Sequence, residues 1–142
     1  TAHSLWSSYT AAMPSDARGW SSLGAVQLDR GEIALARPSI ERALGLDPDG
    51  YPQQINNASL LIHEERYAEA GAAYRKMIET WPRVDQRVWI GLAKLDARAG
   101  KLYEARRSAI HALEIHPNFA ETHRLIERID SLIRKREAAR SE

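Results

Sequence analysis

Four prolines set the frame of this chain. Pro14, Pro48 and Pro82 lie 34 residues apart, and Pro117 follows after 35. Proline breaks a helix from within and disfavours helix at the residue before it, so a fixed proline period cuts the chain into equal blocks. Inside the blocks the same residue types recur in the same order. One block reads Trp20-x-x-Leu23-Gly24, then Gly31, then Ala36-x-x-x-Ile40-x-x-Ala43-Leu44, then Asp47-Pro48. Its apolar positions follow helical spacing on both sides of Gly31, which predicts two helices joined by a tight turn. A later block restores the pattern with Trp89, Leu92, Ala93, Gly100, Leu102, Ala105, Ala109, Ala112, Leu113 and Pro117. The middle block departs from it. Gln54 stands for the tryptophan, Asn57 for the leucine, Ala58 for the first glycine and Glu65 for the turn glycine. Tyr67, Ala70, Tyr74, Met77, Ile78 and Pro82 keep its second half regular. Asp85 reads as one inserted residue.

This order resembles the tetratricopeptide repeat, a 34-residue helix–turn–helix unit. The resemblance covers about residues 17–119 by motif and the flanks by register. It implies an all-α fold, a right-handed superhelical α-solenoid with one concave groove. The expected organisation is a single domain over 1–142. A half-repeat or capping helix occupies 1–16, three units occupy 17–50, 51–84 and 86–119, and a capping helix occupies 120–142. In the first segment Leu5, Trp6, Tyr9, Ala12 and Met13 supply the helical apolar spacing. In the last, Leu125, Ile126, Ile129, Leu132 and Ile133 do so, while Glu127, Arg128, Arg134, Lys135, Arg136 and Glu137 make the other face polar. A terminal repeat needs such a solubilising face. The final residues, Glu137–Glu142, are expected to fray.

The spacing has a physical reason. One helix pair has too little apolar surface to fold alone, so pairs must stack. Small residues at Gly24, Ala58 and Ala93, answered by Ala36, Ala70 and Ala105, let the helices of one unit approach closely. Trp20 and Trp89 are large enough to fill the space between units. Asp16 is the expected N-cap of the helix that follows it. Pro38 falls past the first turn of its helix, which predicts a lost backbone hydrogen bond and a kink.

Charge narrows the partner class. Twenty basic and 19 acidic side chains give a net charge of +1, so no general attraction to nucleic acid or anionic membrane is expected. No run of 18 apolar residues is present, nor a recognisable signal peptide; direct membrane insertion is not expected. The absence of cysteine removes disulfides and thiolate metal sites. A start at Thr1, with half a repeat before Pro14, suggests a piece of something longer.

In this family the groove is lined by the first helix of each unit, from its second, fifth, ninth, twelfth and thirteenth positions, which form one helix stripe. Carried onto this chain, the resemblance implies a partner-binding set of Arg18, Ser21, Ile55, Asn56, Ser59, Ile62, His63, Arg87, Ile90, Lys94, Arg98, Arg124 and Arg128. Ala25, Leu28, Asp29, Pro52, Ala97 and Glu121 fill the remaining stripe positions. Cations outnumber acids there, which suits an acidic peptide, with Ile55, Ile62 and Ile90 as an apolar wall. Some relatives hold the acidic tail of heat-shock chaperones in a two-carboxylate clamp. Only Asn56 and Arg87 match that clamp in place. Ser21, Ala25 and Gly91 cannot supply its other donors, so chaperone-tail binding is not expected.

Catalytic patterns are missing. His63-Glu64-Glu65 lacks the second histidine of a zinc-protease helix. His111 and His116, five apart, leave one helix face. No nucleophile motif or phosphate-cradling glycine loop occurs, and Glu64 and Glu65 point to different sides of a helix. Trp20 and Trp89 are repeat positions rather than base-stacking platforms. The expected function is a non-catalytic protein–protein interaction scaffold without cofactor or metal, binding a protein or acidic peptide in its groove. Two other readings stand beside it: the repeat portion of a larger, membrane-anchored glycosyltransferase-like protein, and a solenoid that self-associates through an open end.

Overall fold

The computed structural model describes residues 1–142. It contains eight helices and no strand: α1 Ala2–Ala12, α2 Ala17–Asp29, α3 Ile33–Leu46, α4 Tyr51–His63, α5 Tyr67–Thr80, α6 Gln86–Arg98, α7 Leu102–Ile115 and α8 Ala120–Arg140. The chain divides into two compact units, Thr1–Ala73 and Tyr74–Glu142, with the division inside α5.

Each unit is built from helix hairpins, and the turns explain why. At Gly31 the chain passes through φ 73° and at Gly100 through φ 79°. The Gly31 N–H bonds the Leu28 carbonyl and the Glu32 N–H bonds Gln27; the Gly100 and Lys101 N–H groups repeat this onto Ala97 and Asp96. This paired 5→2 and 6→1 pattern needs a left-handed residue after the helix, where glycine has no Cβ penalty. The middle hairpin makes the same two bonds, from Glu65 to Ile62 and from Arg66 to Leu61. There Glu65 itself adopts φ 60°. Losing the glycine did not change the turn; it placed a side chain in a costly conformation.

In the first unit α1 packs on α2, α2 on α3, and α4 on both. Leu28, Ala36, Ile40 and Leu60 form the core, with Ile33 and Leu44 at its margin. A side chain the size of Ile40, fully buried, contributes about 1.5–3 kcal/mol. Gly24 permits that packing, since a Cβ there would lie 2.7 Å from Ile40 Cγ1. Gly19, which the repeat pattern leaves unexplained, lies under the Tyr9 ring, where a Cβ would come within 2.6 Å of Cδ1. Pro38 sits within α3 on its exposed side, and the helix runs unbroken across it from Ile33 to Leu46.

In the second unit α7 packs on α6, and α8 on both. Ile90, Ala93, Ala105, Ala109, Ala112, Leu125 and Ile129 form one core, with Trp89, Phe119, Ile126 and Ile133 against it. The alanines are fully enclosed, as the close approach of α6 and α7 requires. The last helix continues to Arg140 rather than fraying from Glu137. Two contacts pin it: Tyr103 donates to Glu137 Oε1 at 2.7 Å and Arg136 donates to the Gly100 carbonyl at 2.8 Å.

Asp85 is not the inserted residue. It caps α6 by accepting from the Arg87 N–H at 2.8 Å, as Asp16 caps α2 by accepting from the Arg18 N–H at 2.9 Å. The extra residue lies earlier, in a connection of five residues, Trp81–Asp85, where Met13–Asp16, Asp47–Gly50 and His116–Phe119 have four.

Candidate partner-binding face

The first unit holds seven of the expected site residues, and several are already committed. Arg18 is largely exposed, but its guanidinium forks onto the Asp16 carboxylate at 3.3 and 3.1 Å. That pairing, followed by the Tyr9 hydroxyl donating at 2.6 Å, holds the Asp16 carboxyl down at about 2. Ser21 is buried. Asn56, half-buried, donates its amide to both the carbonyl and the hydroxyl oxygen of Ser21, each at 2.9 Å. Ile55 is buried as well. Ser21 and Ile55 therefore hold helices together instead of offering surface; α2 and α4 pack directly on one another and cover them. Ser59 and Ile62 are half-buried and His63 is exposed at the end of α4.

The second unit holds the other six. Ile90 is a core residue, so the apolar wall expected from Ile55, Ile62 and Ile90 keeps only Ile62 partly open. The cations behave differently. Arg87, Lys94 and Arg98 occur at i, i+7 and i+11 on α6, one helix face. All three are exposed. Arg87 forks onto Asp85 as Arg18 does onto Asp16, at 3.2 and 2.8 Å. Lys94 donates to Glu121 on α8 at 2.5 Å, which ties the two helices at this face. Arg124 and Arg128 follow on α8, exposed at i and i+4, and neither has an interaction partner among the described residues. The face is a cationic surface carried by α6 and α8, on which Glu121 is already paired.

A second set of charges went unseen in the sequence. Arg37 of α3 pairs with Glu64 at the end of α4 at 2.7 Å. Arg75 of α5 pairs with Asp96 of α6, and Arg106 of α7 pairs with Asp130 of α8 at 2.7 Å. Each links the second helix of one hairpin to the first helix of the next. Asp96 is buried, so this pair is the most sheltered of the three. Pairs at separations of 21 to 27 residues leave no local pattern; only the repeated placement of the helices brings them together.

Repeated helix hairpins without strands make this an all-α helical repeat protein. Comparison with known proteins names the repeat. Residues 61–129, a little under half of the chain, match the family model described as Tetratricopeptide repeat. Among curated proteins, the Protein CTR9 homolog of Arabidopsis thaliana is 26% identical over 102 residues; the match covers 72% of this chain and 9% of the plant protein's length. Among solved structures, MamA from Desulfovibrio magneticus RS-1 superposes with a TM-score of 0.77 at 14% identity, over 98% of this chain and 78% of its own. The thermophilic TPR protein TTC0263 of Thermus thermophilus gives 0.72 at 17% identity, over 89% and 70%. YrrB, described as a TPR protein with an unusual peptide-binding site, gives 0.74 at 15% identity, over 87% of this chain and 63% of YrrB. At these identities the structures establish the fold. Proteins of this fold are generally protein–protein interaction scaffolds and typically non-catalytic.

Proposed function

We propose that this chain is an interaction module whose α6–α8 face receives an acidic segment of a partner protein. The observation that supports this reading is the pair of exposed arginines Arg124 and Arg128 on α8, beside Lys94 and Arg98 of α6, where the acid Glu121 is taken by Lys94. Arginine forks suit carboxylates, and a row of them steers an acidic chain toward the face. Ser21, Ile55 and Ile90 have no part in it, because they are buried. Arg18, Arg87 and Lys94 contribute less, because each is already paired with an acid.

The test uses a glutamate-rich peptide and the variant Arg124→Glu/Arg128→Glu. Exposed pairs contribute only about 0.2–1 kcal/mol each, so the double reversal should cost several-fold in affinity. Binding should also weaken as the Debye length falls from about 10 Å at 0.1 M salt to about 3 Å at 1 M. Salt-independent binding, or a reversed variant that binds as well as the parent, would remove this face from consideration.

A further inference from the structure

The repeat breaks its own spacing at one turn, and a cleft lies there. The first-helix position held by Trp20, Gln54, Trp89 and His123 has a regular task. Trp20 Nε1 donates to the Pro14 carbonyl at 2.9 Å, Gln54 Nε2 to the Pro48 carbonyl at 2.5 Å, and His123 Nε2 lies 2.6 Å from the Pro117 carbonyl. Each bond ties a helix to the proline turn before it. Trp89 alone makes no such bond. The turn before it, Trp81–Asp85, is the one that carries the extra residue. Its ring stacks instead on His111, centroids 4.5 Å apart and planes at 27°.

The longer turn opens a cleft of about 340 Å³ between the end of α5, the start of α6 and the end of α7. Trp81, Trp89, Ile78, Val84 and Ile115 give it apolar walls, and Ile115 is 48% exposed at its edge. Arg83 is its one charged lining residue. Arg83 is exposed and has no partner in the structure, unlike Arg87 next to the turn, which is held by Asp85. The cleft therefore combines an apolar floor with two spare donors, an indole N–H and a guanidinium. Both donors ask for an oxygen acceptor, and the guanidinium for an anionic one. Its volume falls at the lower end of the roughly 300–1,000 Å³ common for small-ligand sites, enough for one bulky side chain and its neighbour but not for a helix.

We infer that this cleft captures an extended segment of a partner protein in which a branched aliphatic residue adjoins an acidic one. The aliphatic side chain lies between Trp81, Trp89 and Ile115, and the carboxylate accepts from Arg83 and Trp89 Nε1. The site does not rest on the cationic α6–α8 face, and Arg83 lies outside that row.

The four tryptophans make the experiment direct. The full chain is labelled with 5-fluorotryptophan, and its fluorine resonances are assigned by single Trp→Phe variants. It is then titrated to millimolar concentration with N-acetyl-Leu-Asp-N-methylamide, and separately with the Leu-Asn analogue. The Trp81 and Trp89 resonances should shift saturably while Trp6 and Trp20 stay in place. The Asp peptide should bind about two- to fivefold more tightly than the Asn peptide, as one exposed ion pair allows. Arg83→Gln should abolish that preference, and Ile115→Ser should weaken both peptides. Equal shifts at all four tryptophans, no shift at Trp81 and Trp89, or an Asp preference that survives Arg83→Gln would overturn the assignment. So would Trp81 and Trp89 shifts that follow protein concentration without peptide, since a second copy would then be the occupant.

Discussion

Asn56 donates both of its short amide bonds to Ser21, one to the carbonyl and one to the hydroxyl oxygen. The pair joins α4 to α2, the first helices of consecutive hairpins, where a peptide donor was expected. An amide that closes its own scaffold is not free to clamp a ligand carboxylate. Asn56→Ala should therefore act on stability, by about 1–2 kcal/mol for two part-buried hydrogen bonds. Ser21→Ala should cost less, because the backbone carbonyl remains to accept. Urea unfolding of the two single variants and the double one would show it; an Asn56→Ala chain as stable as the parent would separate this contact from folding.

Glu65 carries the positive φ that Gly31 and Gly100 carry elsewhere. A left-handed conformation costs a non-glycine residue about 1–2 kcal/mol, part of which glycine gives back through its freer unfolded chain. Glu65→Gly should raise stability by about 0.5–1 kcal/mol. Glu65→Val should lower it, since a branched side chain fits that conformation worse. Equilibrium melts of both, run beside the parent, decide the sign.

Ala93 lies fully buried between α6 and α7 against Ala105 and Ala109. Ala93→Leu should destabilise by about 1–3 kcal/mol through overpacking. A neutral result in denaturant titration would mean that α6 and α7 can move apart at no cost, contrary to the row of enclosed alanines.

The Asp16 carboxyl is held at about 2, first by Arg18 and then by Tyr9, against a usual value of 3.8. A carboxyl lowered by folding stabilises the native state fully above its unfolded pKa and loses that contribution as pH falls through the folded one. The loss should therefore run from about pH 4 to about pH 2. Tyr9 is shifted upward by the same hydrogen bond, so its share is complete below pH 10 and lost above it. Asp16→Asn should flatten the acid limb of the stability–pH curve and Tyr9→Phe the alkaline limb. An acid limb unchanged in Asp16→Asn would assign it to other carboxylates.

What the sequence made legible was whatever repeats locally. Asp16 as a cap, Gly31 as a turn, and the small residues at Gly24 and Ala93 all depend on neighbours within one hairpin. The binding stripe was harder to read. Ser21, Ile55 and Ile90 share helix angles with exposed residues, and only a neighbouring hairpin's first helix in the same unit, α4 on α2 and α8 on α6, decides that they are covered. The Arg37–Glu64, Arg75–Asp96 and Arg106–Asp130 pairs were invisible for the same reason. By its repeat position alone Trp89 is filler between units. Its missing bond appears only when Trp20, Gln54 and His123 are seen to make theirs.

The buried acid gives the most demanding prediction. Asp96 is enclosed and answered by Arg75. The corresponding place in the preceding hairpin is Leu61, also buried, and that hairpin folds in the same way. The site thus tolerates either a charged pair or an apolar residue, but not half of the pair. Arg75→Met should leave the Asp96 carboxylate without its cation. Arg75 is about half exposed, so water replaces part of what is lost, and the cost should be about 1–3 kcal/mol. Adding Asp96→Leu should recover most of that loss, because a well-packed apolar residue can replace a buried ion pair at little or no cost. A thermodynamic cycle over the parent, the two single variants and the double variant measures the coupling. Losses that simply add would mean that Arg75 and Asp96 act independently, and that the link from the second helix of one hairpin to the first helix of the next contributes nothing to holding this unit together.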